Sequence, residues 1–479
     1  MIGRPLPEAQ ANVRRATFPL PALLLVLTAS ALLFLPLVAP VPQALGIAAA
    51  IAVALAPFAV AVAFRFPFLL CLVFVIFSFF RIHEAFPALG PLRIPQLMAA
   101  PTIAILAWRV MGTRTISPYW SRELTAFTVF FVFVTIGVFT ATSRPTAMAY
   151  WTATYVKIYA MVLVISWLAR RPSDFALASR AIIVAGMLIA SVALYNKLNG
   201  IGLVEGTRVT IARDIRSVLG DPNDLSLVLL FPLSFAGALV IGRSSRLSLL
   251  LGLAGAMLIF AAIIATQSRG GLMGAVAVAG VLGSRMIKSK AVLIAIGLLA
   301  LLGLFAAAGI SGRSSGGAAE SGIDESSMGR LYAWGAAWRM ALGRPLTGVG
   351  LDNFTSNYFF YSGHWDGMNH AVHSTWFGVL GETGFPGLIA FLVMIVLTAR
   401  TAWRTQTSAH RQALPPHVRE MSLALPAGIV GFCVSGTFLT QGFTWPFYIL
   451  LALSAATSQY AREALRNATQ DAGKTAAIG

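Results

Sequence analysis

Residues 370–387 carry the side chains of this chain that are best suited to proton transfer. They read His-Ala-Val-His-Ser-Thr-Trp-Phe-Gly-Val-Leu-Gly-Glu-Thr-Gly-Phe-Pro-Gly, and an apolar run follows from residue 388 to residue 398. A histidine titrates near neutral pH and can accept a proton from a hydroxyl group. His373 is therefore a candidate base, and His370 and Glu382 are candidate partners. Glu382 could orient His373 or pair with an arginine, and the nine-residue spacing leaves its role open.

Two arginines are candidates for binding an anion. Arg269 follows Thr-Gln-Ser and precedes Gly270 and Gly271, so its guanidinium and backbone N–H groups can face the same small space, which suits a phosphate or pyrophosphate. Arg330 is predicted in the first turn of a helix that begins near Ser326 and ends at Gly343, where an anion is favoured. The alternative for each is an arginine that reaches the lipid head groups or pairs at the surface.

A third polar stretch, residues 206–224, adds basic and turn-forming residues. It contains Arg213 and Arg216, followed by Asp221-Pro-Asn223 before a predicted helix. Asp221 and Asn223 could bind sugar hydroxyls or could shape the turn, and the turn is the favoured interpretation.

The elements that must position these residues are membrane helices. Hydrophobic residues make up 57 % of the 479 residues and charged residues 11 %, and the mean hydropathy is +0.79. The apolar runs have the length of helices that cross a hydrocarbon core of ~30 Å, which excludes a soluble protein and an outer-membrane barrel. We predict an all-α, polytopic bundle of 12–14 transmembrane helices with a long periplasmic loop that contains a surface helix. The predicted helices lie near residues 17–40, 45–64, 66–80, 94–112, 123–141, 148–169, 179–196, 224–242, 247–266, 270–285, 291–310, 373–399, 421–440 and 442–459.

The distribution of basic residues predicts the orientation. Although the net charge is +18, the 35 Lys and Arg residues fall in short clusters between apolar runs, which argues for topology and against nucleic-acid binding. A cytoplasmic amino terminus places most of them on the cytoplasmic side. The two cysteines, Cys71 and Cys433, lie within apolar runs and predict no metal site or disulfide.

This topology gives four segments. Residues 1–310 form the first eleven transmembrane helices, 311–372 a periplasmic catalytic loop, 373–460 the last three transmembrane helices, and 461–479 a cytoplasmic tail. The loop at 197–224, the turn at 267–271 and the loop at 311–372 then share the outer face, where the candidate residues would converge.

Several motifs resemble those of the O-antigen ligase superfamily, which includes lipopolysaccharide O-antigen ligases, Wzy-type polysaccharide polymerases and bacterial protein O-oligosaccharyltransferases. They are Ser268-Arg-Gly-Gly271, Gly329-Arg330 through Trp338, Pro345-Leu-Thr-Gly-Val-Gly-Leu-Asp-Asn-Phe354, and His373 with Glu382-Thr-Gly384. The resemblance covers residues 200–400 in detail. Ser374 departs from the asparagine that often follows the histidine, and the Gly220–Asp224 segment resembles the exopolysaccharide-associated branch, which favours a polymerase.

The resemblance implies a glycosyltransferase of the bacterial inner membrane that needs no metal or cofactor. Its donor would be an oligosaccharide on undecaprenyl pyrophosphate, its acceptor a glycan, lipid or protein, and its reaction would take place on the periplasmic side. Arg269 and Arg330 would stabilise the departing pyrophosphate while His373 takes the acceptor proton. Arg213, Arg216, Asp221, Asn223, Glu382 and His370 would contact the substrates.

Two other classes of protein remain possible from the sequence. A polytopic transporter or flippase for a lipid-linked or anionic substrate has a similar helix count and would use an intramembrane charge such as Lys157. A scaffold in a polysaccharide export assembly is the second, although it would not need Arg269, Arg330 and His373 to converge.

Overall fold

The computed structural model describes residues 64–92, 94–215, 217–307, 325–365, 367–411 and 414–476. Those from Phe68 onward belong to one compact unit. The first two predicted helices, near 17–40 and 45–64, lie outside the described residues except for residue 64.

The described part of the chain is helical and contains no strand. The apolar runs form the helices because only a helix satisfies every backbone N–H and C=O within a lipid-facing segment. The main helices are α1 Pro67–Phe79, α2 Ile94–Gly112, α3 Arg122–Thr140, α4 Arg144–Leu168, α5 Pro172–Asn199, α6 Pro222–Gly242, α7 Arg246–Thr266, α8 Arg269–Gly283, α9 Lys290–Ala307, α10 Glu325–Gly343, α11 Phe354–Tyr361, α12 Thr375–Arg411, α13 Pro416–Gly436 and α14 Trp445–Ala476.

Eight of the helices in the described ranges are long and apolar enough to cross a membrane, namely α2 to α7, α12 and α13. Three shorter apolar helices, α1, α8 and α9, accompany them. The chain is thus a multi-pass membrane protein with an all-helical fold.

The last predicted membrane helix, near 442–459, forms as α14 but is not among the eight. Every residue from 446 to 458 is buried in the bundle. A helix enclosed by other helices need not face lipid, so it can keep polar residues such as Ser454 and Thr457, both fully buried. The helix also continues to Ala476, through most of the segment predicted as a tail.

Helix α10 forms where the sequence predicts it, but the predicted position of Arg330 within the helix is wrong. The helix begins at Glu325, so Arg330 lies in its second turn and not in its first. Helix α10 packs against α12. Its buried face includes three small residues, Ala333, Ala336 and Ala337, which let the two backbones approach closely.

Helix α12 is broken near the predicted Gly384-Phe-Pro386 segment. Gly384 has φ 69° and ψ −171°, a conformation that only glycine adopts readily. The carbonyl of Pro345 fills the break and accepts the N–H of Phe385 at 2.9 Å. A Cβ atom on Gly384 would lie 2.5 Å from that same carbonyl oxygen, so the break and the preceding turn fit each other closely.

Candidate functional site

The site is assembled at one end of the bundle, where α6, α8 and α12 begin and where α13 is joined to α14. The loop between α5 and α6 packs there, since Val209 donates its N–H to the carbonyl of Ala265 at the end of α7, at 3.3 Å. The turn between α3 and α4 is also at this end, where Thr142 donates its N–H to the carbonyl of Val349 at 3.0 Å. Thr207 Oγ1 also donates to Oε1 of Gln267 at 2.8 Å. The segments predicted to share one face therefore meet.

Arg269 is the first residue of α8, and its position depends on two polar residues. Ser268 is fully buried, and its Oγ accepts the N–H of Gly271 at 3.2 Å as the helix cap. The same hydroxyl donates to Oδ1 of Asn223 at 2.9 Å. Arg208 also donates to Asn223 Oδ1, through Nη2, at 2.8 Å. Asn223 thus fixes the start of α8, and Arg269 stands half-buried at the positive end of that helix.

Asp221 caps the neighbouring helix α6. Its Oδ1 accepts the N–H groups of Asn223 at 2.7 Å and Asp224 at 3.2 Å. The predicted turn-forming role of Asp221 is therefore present. Arg213 is exposed and donates to the carbonyl of Gly220 at 3.4 Å. Arg216 lies outside the described residues.

Phe438 connects Arg330 with the start of α8. The guanidinium carbon of Arg330 lies 5.8 Å from the centroid of the Phe438 ring, within the range of a cation–π contact. Gly270 packs against Phe438, because a Cβ atom on Gly270 would lie 3.4 Å from Phe438 Cβ and Cδ2. One aromatic ring therefore touches both the Arg330 side chain and the residue next to Arg269.

His373 lies directly before α12 in a restricted conformation. It has φ 45°, in the left-handed region, and it stands between Val372 and Ser374, each 1 % exposed. Burial lowers the pKa of His373 below its usual value, and the positive charge of Arg330 lowers it further. Asp221 acts in the opposite direction, and His370 adds a smaller lowering effect. The imidazole is therefore neutral at neutral pH and lies within electrostatic range of these groups.

The join between α13 and α14, which we call the 437–444 segment, holds the start of α12. Thr375 Oγ1 donates to the carbonyl of Leu439 at 2.7 Å and accepts the N–H of Gln441 at 3.2 Å. Gln441 Nε2 in turn donates to Asp224 Oδ1 at 2.7 Å. The segment thus links α12, two residues after His373, to the start of α6.

The sequence analysis did not identify the 437–444 segment as part of the site, because it placed these residues at the junction of two predicted helices, near 421–440 and 442–459. The sequence does contain a feature that marks the 437–444 segment. Thr437, Thr440, Gln441 and Thr444 are polar residues concentrated between two apolar runs, and such residues usually have buried partners when they lie at a membrane helix end.

Glu382 holds the turn that precedes α11. Its carboxylate oxygens accept the N–H of Asp352 at 3.0 Å and of Phe354 at 3.2 Å. Its own carbonyl accepts the N–H of Gly350 at 3.1 Å. With both oxygens bonded to backbone N–H groups, Glu382 positions the 345–354 turn rather than His373.

His370 lies over an aromatic cluster at the ends of α10 and α11. Its ring makes an edge contact with Tyr358, with centroids 5.3 Å apart, and Tyr358 is 1 % exposed. His364 stacks on Tyr332 at 4.6 Å. The two histidines therefore have aromatic partners of their own, beside the candidate base.

The arrangement combines a neutral imidazole, guanidinium groups and the starts of two capped helices. Guanidinium groups and helix starts stabilise an anion, and a neutral imidazole can accept a proton. In the described ranges, no group of three or more His, Cys, Asp or Glu side chains is placed to hold a metal ion.

Residues 227–392 match the model of a protein family described as O-antigen ligase. The match begins in α6 and ends in α12, so it contains Arg269, Arg330 and His373 and excludes the 437–444 segment. No curated protein sequence matches the chain at a significant level. The match and the apolar helices together support membership of this multi-pass membrane protein in the O-antigen ligase superfamily.

Proposed function

We propose that the chain is an inner-membrane glycosyltransferase that transfers or polymerises undecaprenyl-pyrophosphate-linked oligosaccharide on the periplasmic side. A membrane glycosyl-transfer enzyme is what the family suggests. The donor, the side of the membrane and the roles of the residues are our proposal. The acceptor would be a glycan, lipid or protein.

The proposed reaction is a single displacement at the anomeric carbon of the donor. The acceptor hydroxyl oxygen forms a bond to that carbon, the bond from carbon to the pyrophosphate oxygen breaks, and the hydroxyl proton passes to His373. The leaving pyrophosphate gains negative charge, which Arg269 and Arg330 stabilise together with the N-terminus of α8. In this proposal the arginines supply the positive charge that a metal supplies in other transferases.

The contact of Phe438 with both Arg330 and Gly270 carries this proposal. It brings the Arg330 guanidinium on α10 to the start of α8, although Arg330 and Gly270 are 60 positions apart in the sequence. The charge of Arg330 also acts on His373. The proposed base is thus electrostatically coupled to Arg330, and Phe438 connects Arg330 with the start of α8.

Other candidate residues receive supporting roles in the proposal. Asn223, Asp221 and Glu382 position α8, α6 and the 345–354 turn, as their hydrogen bonds indicate. His370 and Arg213 remain candidates for contacting substrate, and Arg216 keeps that role as a prediction only.

A transporter or flippase is the alternative. The transporter interpretation relied on Lys157 as an intramembrane charge. Lys157 lies on an exposed side of α4 and not in the interior of the described bundle. The polar groups described above gather at one end of the bundle, whereas transporters usually place their sites near the midplane between repeats. We therefore favour the enzyme.

The test is complementation of a gene deletion with wild type, Arg269→Ala, Arg330→Ala or His373→Ala. We expect each variant to insert normally and to lose product. Arg339→Ala, on the same helix as Arg330, and His364→Gln should retain product. Single lipid-linked repeats without long chains would identify a polymerase, and long unattached lipid-linked chains a ligase. Normal glycans with all three variants would refute the enzyme reading and favour the transporter.

A further inference from the structure

A second polar site lies at the opposite end of the bundle, between α3, α12 and α14. It is a cavity of about 390 Å³ whose walls include Arg122, Arg404 and Arg462, together with Glu123 and Ser458. Leu465 supplies an apolar wall. None of these residues belongs to the site around His373.

The cavity has an excess of positive charge. Three guanidinium groups face one carboxylate, which leaves a formal charge of two positive units. Among the residues that the structure describes, none of the ion pairs joins these arginines to a carboxylate. Arg462 donates to the Oγ of Ser458 at 3.1 Å, which directs its guanidinium along the cavity wall. Like charges held together in this way favour a bound anion.

Glu123 adds an acceptor to this positive site. The residue is 2 % exposed, and its Oε2 accepts a hydrogen bond from Thr401 Oγ1 at 3.2 Å. Its Oε1 is buried and has no hydrogen-bond partner. A buried carboxylate oxygen without a partner is unfavourable, so a ligand that brings a hydroxyl donor would be stabilised here.

The position of the cavity corresponds to the head-group level of a bilayer. Arg122 is the first residue of α3. On α12 the cavity is lined by Thr401, Arg404, Thr405 and Ser408, which follow the apolar run that ends at residue 398. At the other end of α3, the carbonyl of Thr140 accepts a hydrogen bond from Arg344 at 2.8 Å, beside the 345–354 turn. The 19 residues of α3 span about 28 Å at the usual helical rise, which is close to the ~30 Å thickness of a hydrocarbon core.

We propose that this cavity binds the head group of an anionic phospholipid, with the phosphodiester on Arg122, Arg404 and Arg462 and a head-group hydroxyl donating to Oε1 of Glu123. Phosphatidylglycerol has both chemical features. Guanidinium groups are well suited to phosphate because they donate two parallel hydrogen bonds. Leu465 and the outer helix surfaces would contact the upper part of an acyl chain.

The test measures lipid binding to the purified full chain by native mass spectrometry in detergent. We expect wild type to bind phosphatidylglycerol at least tenfold more tightly than phosphatidylcholine, and Arg404→Gln/Arg462→Gln to lose that preference. Arg400→Gln/Arg466→Gln removes the same charge from the same two helices outside the cavity wall, and this control should keep the preference. Equal loss in both double variants, or no preference in wild type, would overturn the proposal.

Two further probes identify the chemistry that is bound. Phosphatidylmethanol has the phosphodiester but no head-group hydroxyl, so its binding should be about fivefold weaker than that of phosphatidylglycerol, as expected for one hydrogen bond. Inorganic phosphate should not displace phosphatidylglycerol at millimolar concentration. Displacement by inorganic phosphate, together with equal binding of all lipids, would show a site for a soluble phosphate and overturn the lipid assignment.

Discussion

At His373, burial and the charge of Arg330 both lower the pKa, so the imidazole stays unprotonated at neutral pH. Removal of the Arg330 charge eliminates the larger of the two charge effects that lower the pKa, the other being that of His370. The pKa of His373 in Arg330→Gln should therefore rise towards the ordinary value. Protonation would then occur at a higher pH than in wild type.

Modification of His373 by diethyl pyrocarbonate measures this change without catalytic activity, because the reagent reacts with neutral imidazole. Reactivity falls as the pH decreases through the pKa, and we expect this fall at higher pH in Arg330→Gln. Arg339→Gln is the matched control and should leave the profile unchanged. Identical profiles for wild type and Arg330→Gln would contradict the electrostatic link.

Arg269 is predicted to need the forked shape of its guanidinium. Lysine keeps the charge but cannot form two parallel hydrogen bonds to phosphate oxygens. We expect Arg269→Lys to lower the rate of transfer by roughly 10²-fold, similar to the loss of one donor in an oxyanion site. Turnover of a purified lipid-linked donor measures the rate, and near-wild-type activity would mean that only the charge matters.

At the scale of the elements, the 345–354 turn and the broken helix α12 stabilise each other through Glu382. Replacement by alanine leaves the N–H groups of Asp352 and Phe354 without their acceptor. The expected cost is about 1–3 kcal/mol in the free energy of unfolding. We expect Glu382→Ala to lower the thermal unfolding temperature in detergent.

Glu382→Ala also distinguishes a positioning role of Glu382 from direct contact of Glu382 with substrate. A positioning role predicts lower stability and a lower fraction of active protein, with KM unchanged in the folded fraction. Glu463→Ala, on an exposed part of α14, is the control for loss of a carboxylate. Unchanged stability with a raised KM would instead place Glu382 in contact with substrate.

Phe438 offers a test of the 437–444 segment. Phe438→Leu keeps an apolar side chain beside Gly270 but removes the ring under Arg330. A cation–π contact contributes about 0.5–2 kcal/mol, so transfer should fall by up to about thirtyfold while the protein stays folded. Phe359→Leu changes an exposed ring at the same end and should have no effect. Equal activity of Phe438→Leu and wild type would show that the ring does not position Arg330.

The helices and the turn at Asp221 could be predicted from the sequence, whereas the contact of Phe438 with Arg330 could not. The apolar runs predict the positions of the described membrane helices because the hydrocarbon core dictates length and polarity. They do not predict every end: α5 begins at Pro172 and not near residue 179, and α12 and α14 continue beyond the predicted ends at residues 399 and 459. The turn role of Asp221 follows from its neighbours, Pro222 and Asn223. Phe438 could not be recognised, because an aromatic residue between two apolar runs has no feature that marks it as a partner of Arg330. That contact arises only when α10 and the end of α13 come together.

At the scale of the whole molecule, the contacts place the 206–224 loop, the start of α8 and His373 at one end, and the 390 Å³ cavity at the other. The proposed orientation predicts that these two ends are accessible from opposite sides of the membrane. In spheroplasts, Thr207→Cys should react with a membrane-impermeant maleimide. Thr407→Cys should react only after permeabilisation. Both threonines are exposed, and the reverse pattern would place the proposed reaction in the cytoplasm.

The position of the 437–444 segment in the chain has a consequence for biogenesis. It lies after Gly436, whereas Arg269, Arg330 and His373 are all synthesised earlier. The nascent protein can insert its first membrane helices while the groups that align Arg330 and Thr375 do not yet exist. Under the proposed function, newly made chains would therefore stay inactive in the membrane until the 437–444 segment has been synthesised and inserted.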